Sequence, residues 1–303
     1  MNVNGIIPLY KPRGMTSFHC VSKIRHLLNI RKVGHSGTLD PDVDGVLPIC
    51  VGSATKVAGY LMHFGKVYQG SVTLGLATDT ADLSGNVIKT EAIAKPYSNK
   101  QIDKQMKTFE KDRLVQVPPM YSAVRVNGKH LYEYARQGIK VDRPKHIVSV
   151  KSFKQIKPSQ YDRDKKQQTI YFRIVCGKGT YIRCMSVDLG KKLGVPAVMS
   201  NLTRVKSGNF HLDQTVTFGQ IKHDLEDHDL SFLAPIEHAL PEIPVYNLKS
   251  SQWARVKNGA FLYPDEVPNY NKLILKYNHD TKALYGHDVK QKCYRPITMF
   301  SIK

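Results

Sequence analysis

Gly34-His35-Ser36-Gly37-Thr38-Leu39-Asp40-Pro41, continuing as Asp42-Val43-Asp44-Gly45, is the stretch on which the reading of this chain turns. Asp40 precedes a proline, which biases it away from helix and toward an extended or turn conformation. Gly37 and Gly45 let backbone approach backbone, or a ligand, closely. On local chemistry alone the stretch is an Asp-Pro turn with Asp40 bonding its own loop. What lifts it above punctuation is the order of residues here and in the segments around it.

The charge balance says what kind of partner to look for. Forty-five Lys and Arg against twenty-five Asp and Glu leave a formal net charge of +20 over 303 residues. Such an excess predicts attraction to a polyanion, nucleic acid before anionic membrane. No 18-residue apolar run, no signal-peptide core after Met1 and no basic amphipathic helix argues for membrane attachment. The 41% hydrophobic content fits a folded chain with a sizeable core. Five cysteines, scattered and without a Cys-x-x-Cys pair, fit neither a disulfide framework nor a zinc ribbon and suit a reducing cytoplasm. Cys50, inside an apolar run, reads as core. His223, His228 and His238, with Asp224 and Asp227, have no zinc spacing and read as a solvated acidic loop, so no metal is expected. The phosphate-loop and dinucleotide glycine patterns are missing too, so no nucleotide cofactor is implied.

Along the chain, Ser17 reads as the N-cap of an amphipathic helix carrying Val21, Ile24, Leu27 and Leu28. Residues 66–75 alternate as a strand with Tyr68, Val72 and Leu74 on one face. Ser98 and Gln101 form a capping-box pattern ahead of Ile102, Met106 and Phe109. Residues 117–146 are dense in tyrosine, basic residues and turn formers, with a helix signal only over 131–137, and read as a surface excursion. Ile170 to Cys176 is a strand and 182–193 a helix, so Arg183 falls at a strand-to-helix junction. The pattern is α/β or α+β, and periodicity does not decide between them. Near Leu233 the prolines 235, 241 and 244 mark a linker, followed by a small, turn-rich β module.

Several segments besides the first carry a resemblance. Lys11-Pro12-Arg13-Gly14-Met15-Thr16-Ser17, Lys66-Val67-Tyr68, Gly75 to Asp82, Pro118 to Ala123, Leu131 to Arg136 and Gly179-Thr180-Tyr181-Ile182-Arg183 occur in one order over residues 5 to 210. Together with Gly37-Thr38-Leu39-Asp40-Pro41 this resembles the TruB family of pseudouridine synthases. The resemblance implies an α+β pseudouridine synthase fold, with a mixed, largely antiparallel central sheet and flanking helices. It implies a catalytic domain over residues 1–238 with a thumb-like insertion at 117–146. An RNA-binding PUA-like domain is expected over 239–303, resting on position and on Val256-Lys257-Asn258-Gly259.

It also implies a chemistry that needs no redox cofactor and no metal: a uridine's N1–C1′ bond breaks, the base turns, and C5 takes its place. A carboxylate beside that bond is required, and Asp40 is the candidate. It could attack C6, attack C1′ or take a ribose proton, and the sequence does not choose. Arg183 is the expected partner, keeping the carboxylate's pKa low and fixing its orientation. Charge composition alone would make it a phosphate contact. Tyr68 is expected on the target base, with a half-buried strand tyrosine as the plain alternative; Tyr181 and Leu202 are expected to line the pocket. The uridine must leave its stack to be reached, and His35 resembles the residue that fills the vacated space. Lys11, Arg13, Lys140, Arg143 and Lys145 are expected on phosphates. The implied partner is the T stem-loop of tRNA, with position 55 as target, bound by a cytoplasmic monomer. A guide-RNA-dependent or ribosomal-RNA-directed synthase, or a tRNA-folding chaperone, are the alternatives.

Overall fold

The computed structural model describes residues 3–301. In chain order the strands are β1 (Gly5–Lys11), β2 (Val33–His35), β3 (Asp44–Val51), β4 (Lys66–Leu74), β5 (Leu76–Thr78), β6 (Val87–Thr90), β7 (Lys111–Gln116), β8 (Arg125–Val126), β9 (Lys129–His130), β10 (His146–Asp162), β11 (Gln167–Cys176), β12 (Ala197–Ser207), β13 (Phe210–His211), β14 (Val245–Asn247), β15 (Lys272–Tyr277), β16 (Asp280–Asp288) and β17 (Cys293–Met299). The helices are α1 (Ser17–Leu28), α2 (Ala58–His63), α3 (Asn99–Lys107), α4 (Leu131–Arg136), α5 (Ile182–Leu193), α6 (Phe218–Glu226) and α7 (Ser250–Val256).

The main sheet runs β1-β3-β12-β4-β11-β10-β7, with β2 added to β3 and β13 to β12. Its pairings are antiparallel except one: β12 meets β3 in parallel, Arg204 opposite Gly45. The fold is therefore α+β, and the open choice between α/β and α+β is settled by strand direction. Side-chain alternation assigns the two faces of β1 and β3 to different cores. Ile7, Leu9, Leu47 and Ile49 face one that also takes Ile24 of α1, Met106 of α3, Leu189 of α5 and Ile221 of α6. Ile6, Val46 and Cys50 face the other, with Leu61 of α2. The outer edge of β1 is not left open. Ile6 exchanges backbone hydrogen bonds with Ala234, and Pro8 and Tyr10 bond Val216, which removes an unpaired edge.

The second core continues into the C-terminal sheet, ordered β14-β15-β16-β17. Ile274 and Leu284 point back into it, whereas Leu273, Leu275 and Tyr285 turn the other way onto a third core with Val256 of α7. The proline-marked segment connecting the sheets is packed, not loose: Ile236, Ala239 and Leu240 are buried there. Glu237 fastens it, accepting from Lys276 Nζ at 2.7 Å and from Thr281 Oγ1 at 2.5 Å.

Two local expectations are corrected. Thr16, not Ser17, caps α1, its hydroxyl accepting from the His19 amide. Ser17 is drawn away by a distant partner: its hydroxyl accepts from Leu39 N–H at 2.9 Å and donates to Leu39 O at 3.2 Å. His223 and Asp224 lie on a helix, not in a loop, with His223 Nδ1 3.3 Å from Asp227 Oδ2.

Burial raises the Glu237 carboxyl, but the hydrogen bonds from Lys276 and Thr281 outweigh it and hold its pKa below 4.5. A depressed carboxylate adds stability above its unfolded pKa and loses it as pH falls through the folded one. Glu237→Ala should therefore cost about 1.5–3 kcal/mol at pH 7, as for hydrogen bonds to a charged group. The difference from wild type should shrink once the pH drops below about 4. Denaturant titration at pH 7 and pH 3.5 checks this, and a pH-independent difference would contradict it.

Candidate active site

Asp40 sits in the loop between β2 and β3, and that loop is held from both sides by buried cations. Arg204 of β12 is 1% exposed; its Nη2 donates to Gly37 O at 3.1 Å, its Nη1 to Thr38 O at 3.4 Å and its Nε to Val46 O at 2.7 Å. Lys11, at the end of β1, donates from Nζ to Pro41 O at 2.9 Å and to Pro12 O at 2.8 Å. Gly45 makes the crossing possible. It sits at φ +108° against the Arg204 backbone, where any Cβ would overlap the Arg204 carbonyl. Val43 N–H bonds Asp40 O and closes the Asp-Pro turn.

Arg183 reaches Asp40 from the first turn of α5. Its Nε lies 3.0 Å from Asp40 Oδ2 and its Nη2 3.1 Å from Oδ1, a two-point fork on one carboxylate. The remaining donors bind Thr80 O and Tyr121 O, and Asp82 Oδ2 lies 3.8 Å from Nε. One guanidinium thus joins the Asp40 loop, the loop after β5 and the start of the 117–146 segment. Asp82, which sequence reading did not single out, stands within the quoted run Gly75 to Asp82. Nothing local announces that its carboxylate turns toward Arg183.

These residues line a cavity of about 770 Å³, walled further by Tyr68, Leu202, Tyr181, Lys66, Met199 and Arg204. Tyr68 of β4 is 8% exposed and stands opposite Arg204 in the antiparallel β4–β12 ladder. Tyr181 caps the N-terminus of α5, its backbone held at both polar atoms by the buried Gln116 amide. Asp40, Tyr68, Arg183, Tyr181 and Leu202 are therefore brought together as expected.

The basic residues divide. Lys11 is fully buried with its ammonium engaged by carbonyls, so it is no phosphate contact; it braces the loop instead. Arg13 is half exposed, but its donors go to Asp42 O, Asp44, Asn201 and Leu202 O. Lys140 and Arg143 lie exposed on the 117–146 segment, Arg143 donating to Pro118 O, and Lys145 reaches the cavity wall. His35, on β2, is half-buried and accepts the Gly37 amide on Nδ1, next to the Asp40 loop rather than on the cavity wall. The 117–146 segment has order of its own: the β8–β9 hairpin, α4 and a fully buried Leu131.

The electrostatics depart from expectation at one point. Asp40 keeps 38% of its side chain exposed, yet burial in the cavity wall dominates and pushes its pKa up from the ordinary value, with Asp82 adding to the rise. Arg183 and Lys11 oppose this without overcoming it. The expectation of a depressed pKa is corrected: desolvation outweighs the fork. Burial likewise raises the Tyr68 phenol, with Arg204 pulling the other way. Burial pushes the Lys66 ammonium down to about 8, and the neighbouring Arg204 charge lowers it further. Burial lowers His35 in the same manner, which favours the neutral ring that the Gly37 hydrogen bond requires.

A half-exposed carboxylate forked by a buried arginine, with a buried tyrosine on the same cavity wall, is thus set in a chain of formal net charge +20. A model described as TruB family pseudouridylate synthase (N terminal domain) matches residues 25–182, and one described as tRNA pseudouridylate synthase B C-terminal domain matches 183–241. The tRNA pseudouridine synthase B of Lactiplantibacillus plantarum is 51% identical over 306 residues, covering 99% of either chain. That of Ligilactobacillus salivarius is 50% identical over 302 residues, covering 99% of this chain and all of its own. A chain of the crystallised Cbf5-Nop10-Gar1 complex superposes with a TM-score of 0.70 at 25% identity, covering 98% of this chain and 85% of that one. The chain belongs to the TruB family of pseudouridylate synthases.

The direction of the Asp40 shift gives a measurable consequence. Carbon-13 NMR of the labelled carboxyl should place its midpoint above 3.8, the ordinary value. Arg183→Gln should move it further up, because a cation that favours the charged form is lost. A midpoint at or below the ordinary value would contradict the dominance of burial.

Proposed function

We propose that this chain isomerises a uridine of tRNA to pseudouridine, and that its target is the T-loop uridine at position 55. The observation that carries the reading is the two-point Arg183–Asp40 contact in a cavity faced by Tyr68. Full-length relatives named tRNA pseudouridine synthase B support tRNA, ahead of a guide-directed or ribosomal-RNA substrate. A cavity of about 770 Å³ has room for one extruded nucleoside and not for a stacked loop, so the base enters flipped.

In that pose the Asp40 carboxylate acts on the nucleoside while Arg183 fixes both of its oxygens. The N1–C1′ bond breaks, C5 bonds C1′, the C5 hydrogen leaves as a proton, and N1 finishes with one. Nothing is oxidised and the formula is unchanged. Tyr68 stacks on the base, and its hydroxyl relays the C5 proton by accepting it while releasing its own. Leu202 and Tyr181 pack the sugar and base. His35 takes the space left in the T loop, and Arg13, Lys140, Arg143 and Lys145 approach phosphates. The C-terminal sheet serves as a PUA-like RNA-binding unit. The enzyme works as a monomer in the cytoplasm; among the described residues no helix is long and apolar enough to cross a membrane.

Pure protein should convert one uridine of an unmodified tRNA transcript, located by carbodiimide mapping, without added metal or cofactor. Asp40→Asn should abolish conversion and keep tRNA affinity within about tenfold, or ~1.4 kcal/mol. Retained turnover in that variant, or tRNA refolding as the wild type's sole activity, would overturn the reading.

Residues 117–146 act as the thumb. Tyr121 O accepts from Arg183, so closure of this segment on RNA reaches the Asp40 partner directly. Its short hairpin and helix bury little besides Leu131, which predicts low local stability in the free protein. Hydrogen exchange over 117–146 should slow markedly on adding tRNA. Equal, strong protection with and without RNA would rule the closure out.

A further inference from the structure

Arg204 brings a positive charge into the interior, and among the described residues no carboxylate forms an ion pair with it. Its backbone acceptors, Val46 O, Gly37 O and Thr38 O, are neutral carbonyls. Burying an unpaired guanidinium is expensive, and a methionine or leucine of similar volume would fill the space without that penalty. The cost is offset by what the three carbonyls belong to. Two lead directly into Leu39 and Asp40, and the third lies on β3, so the fork ties the loop to the strand that follows it. Across the β4–β12 ladder the residue opposite Arg204 is Tyr68, and both line the cavity.

We infer that Arg204 is a positioning residue for the isomerisation, holding the Asp40 loop and the Tyr68 hydroxyl at one fixed separation across the base-binding cavity. It does so by a geometry that lysine lacks, because three different nitrogens of one planar group meet the three carbonyls and an ammonium has a single nitrogen. Its charge faces the phenol oxygen at the moment that oxygen passes its proton on, and it already draws the buried phenol's pKa downward. Lys66, on the same wall, spends its ammonium on Met62 O and Phe64 O and cannot replace it. The inference rests on the proposed roles of Asp40 and Tyr68.

The test compares wild type, Arg204→Lys, Arg204→Ala, Tyr68→Phe and the Arg204→Lys/Tyr68→Phe double variant by single-turnover conversion of tRNA transcript, tRNA affinity and melting temperature. Arg204→Lys should lose about 100-fold in rate, the size of effect that a displacement of roughly 1 Å at reacting groups produces, with affinity within about threefold. In the Tyr68→Phe background the same change should cost much less, since the two act together. Added guanidinium should raise the rate of Arg204→Ala, and methylammonium should not. A wild-type rate in Arg204→Lys, full additivity with Tyr68→Phe, or a rate loss explained by the unfolded fraction would each overturn the inference. Wild-type protein that converts no uridine would instead overturn the proposed function, a result distinct from all of these.

Discussion

Everything at the site follows from the difficulty of keeping a carboxylate in a cavity wall that strips away much of its water. Desolvation drives Asp40 toward its neutral form, and the one strong counterweight is the Arg183 fork, with both carboxylate oxygens engaged near 3 Å. The balance falls on the side of burial, so the group is more basic than a surface aspartate and still held in one orientation. Because Arg183 also binds Thr80 O and Tyr121 O, the same contact fixes where two further loops must end. The site is built around a single guanidinium rather than around a single loop.

The sheet supplies what the fork cannot. Antiparallel β4, β11 and β12 bring Tyr68 and Leu202 to the cavity in register, and the parallel step from β12 to β3 places Arg204 beneath the loop. Helix α5 contributes its first turn, positioned by Gln116 through the Tyr181 backbone. The C-terminal sheet adds Ile274 and Leu284 to a core it shares with β1 and β3. It is therefore welded to the back of the catalytic sheet, with Glu237 as the polar rivet.

What could be read in the sequence was whatever is decided within a few residues. The capping box at Ser98, the alternation of β4 and the start of α5 at Ile182 each obey local rules, and each appears in the structure. Asp40 and Arg183 were legible through ordered motifs, not through physics. What failed was decided at a distance. Ser17 is engaged by Leu39 instead of capping α1, and Lys11 is buried with its ammonium on the carbonyls of Pro12 and Pro41. Arg204 gave no signal, since a charged residue on an alternating strand is ordinarily solvent-facing. The pKa of Asp40 also depends on how deep the cavity is, which no spacing of residues reveals.

The Arg204 clamp has a consequence for how the molecule is made. Its acceptors on the Asp40 loop precede it by 166 and 167 positions. At about 5–20 residues per second of synthesis, the loop waits on the order of 8 to 33 seconds for the residue that holds it. During that interval β1 and β3 can pair, but their neighbour β12 and the strand-edge partners at 216 and 234 have not emerged. The nascent chain therefore carries an unset catalytic loop until about two thirds of it has been made, and an open β1 edge until residues 216 and 234 follow. Until that point the Asp40 loop lacks the side chain that clamps Gly37 O and Thr38 O, and the closing of the sheet and the clamping of the loop belong to the same event.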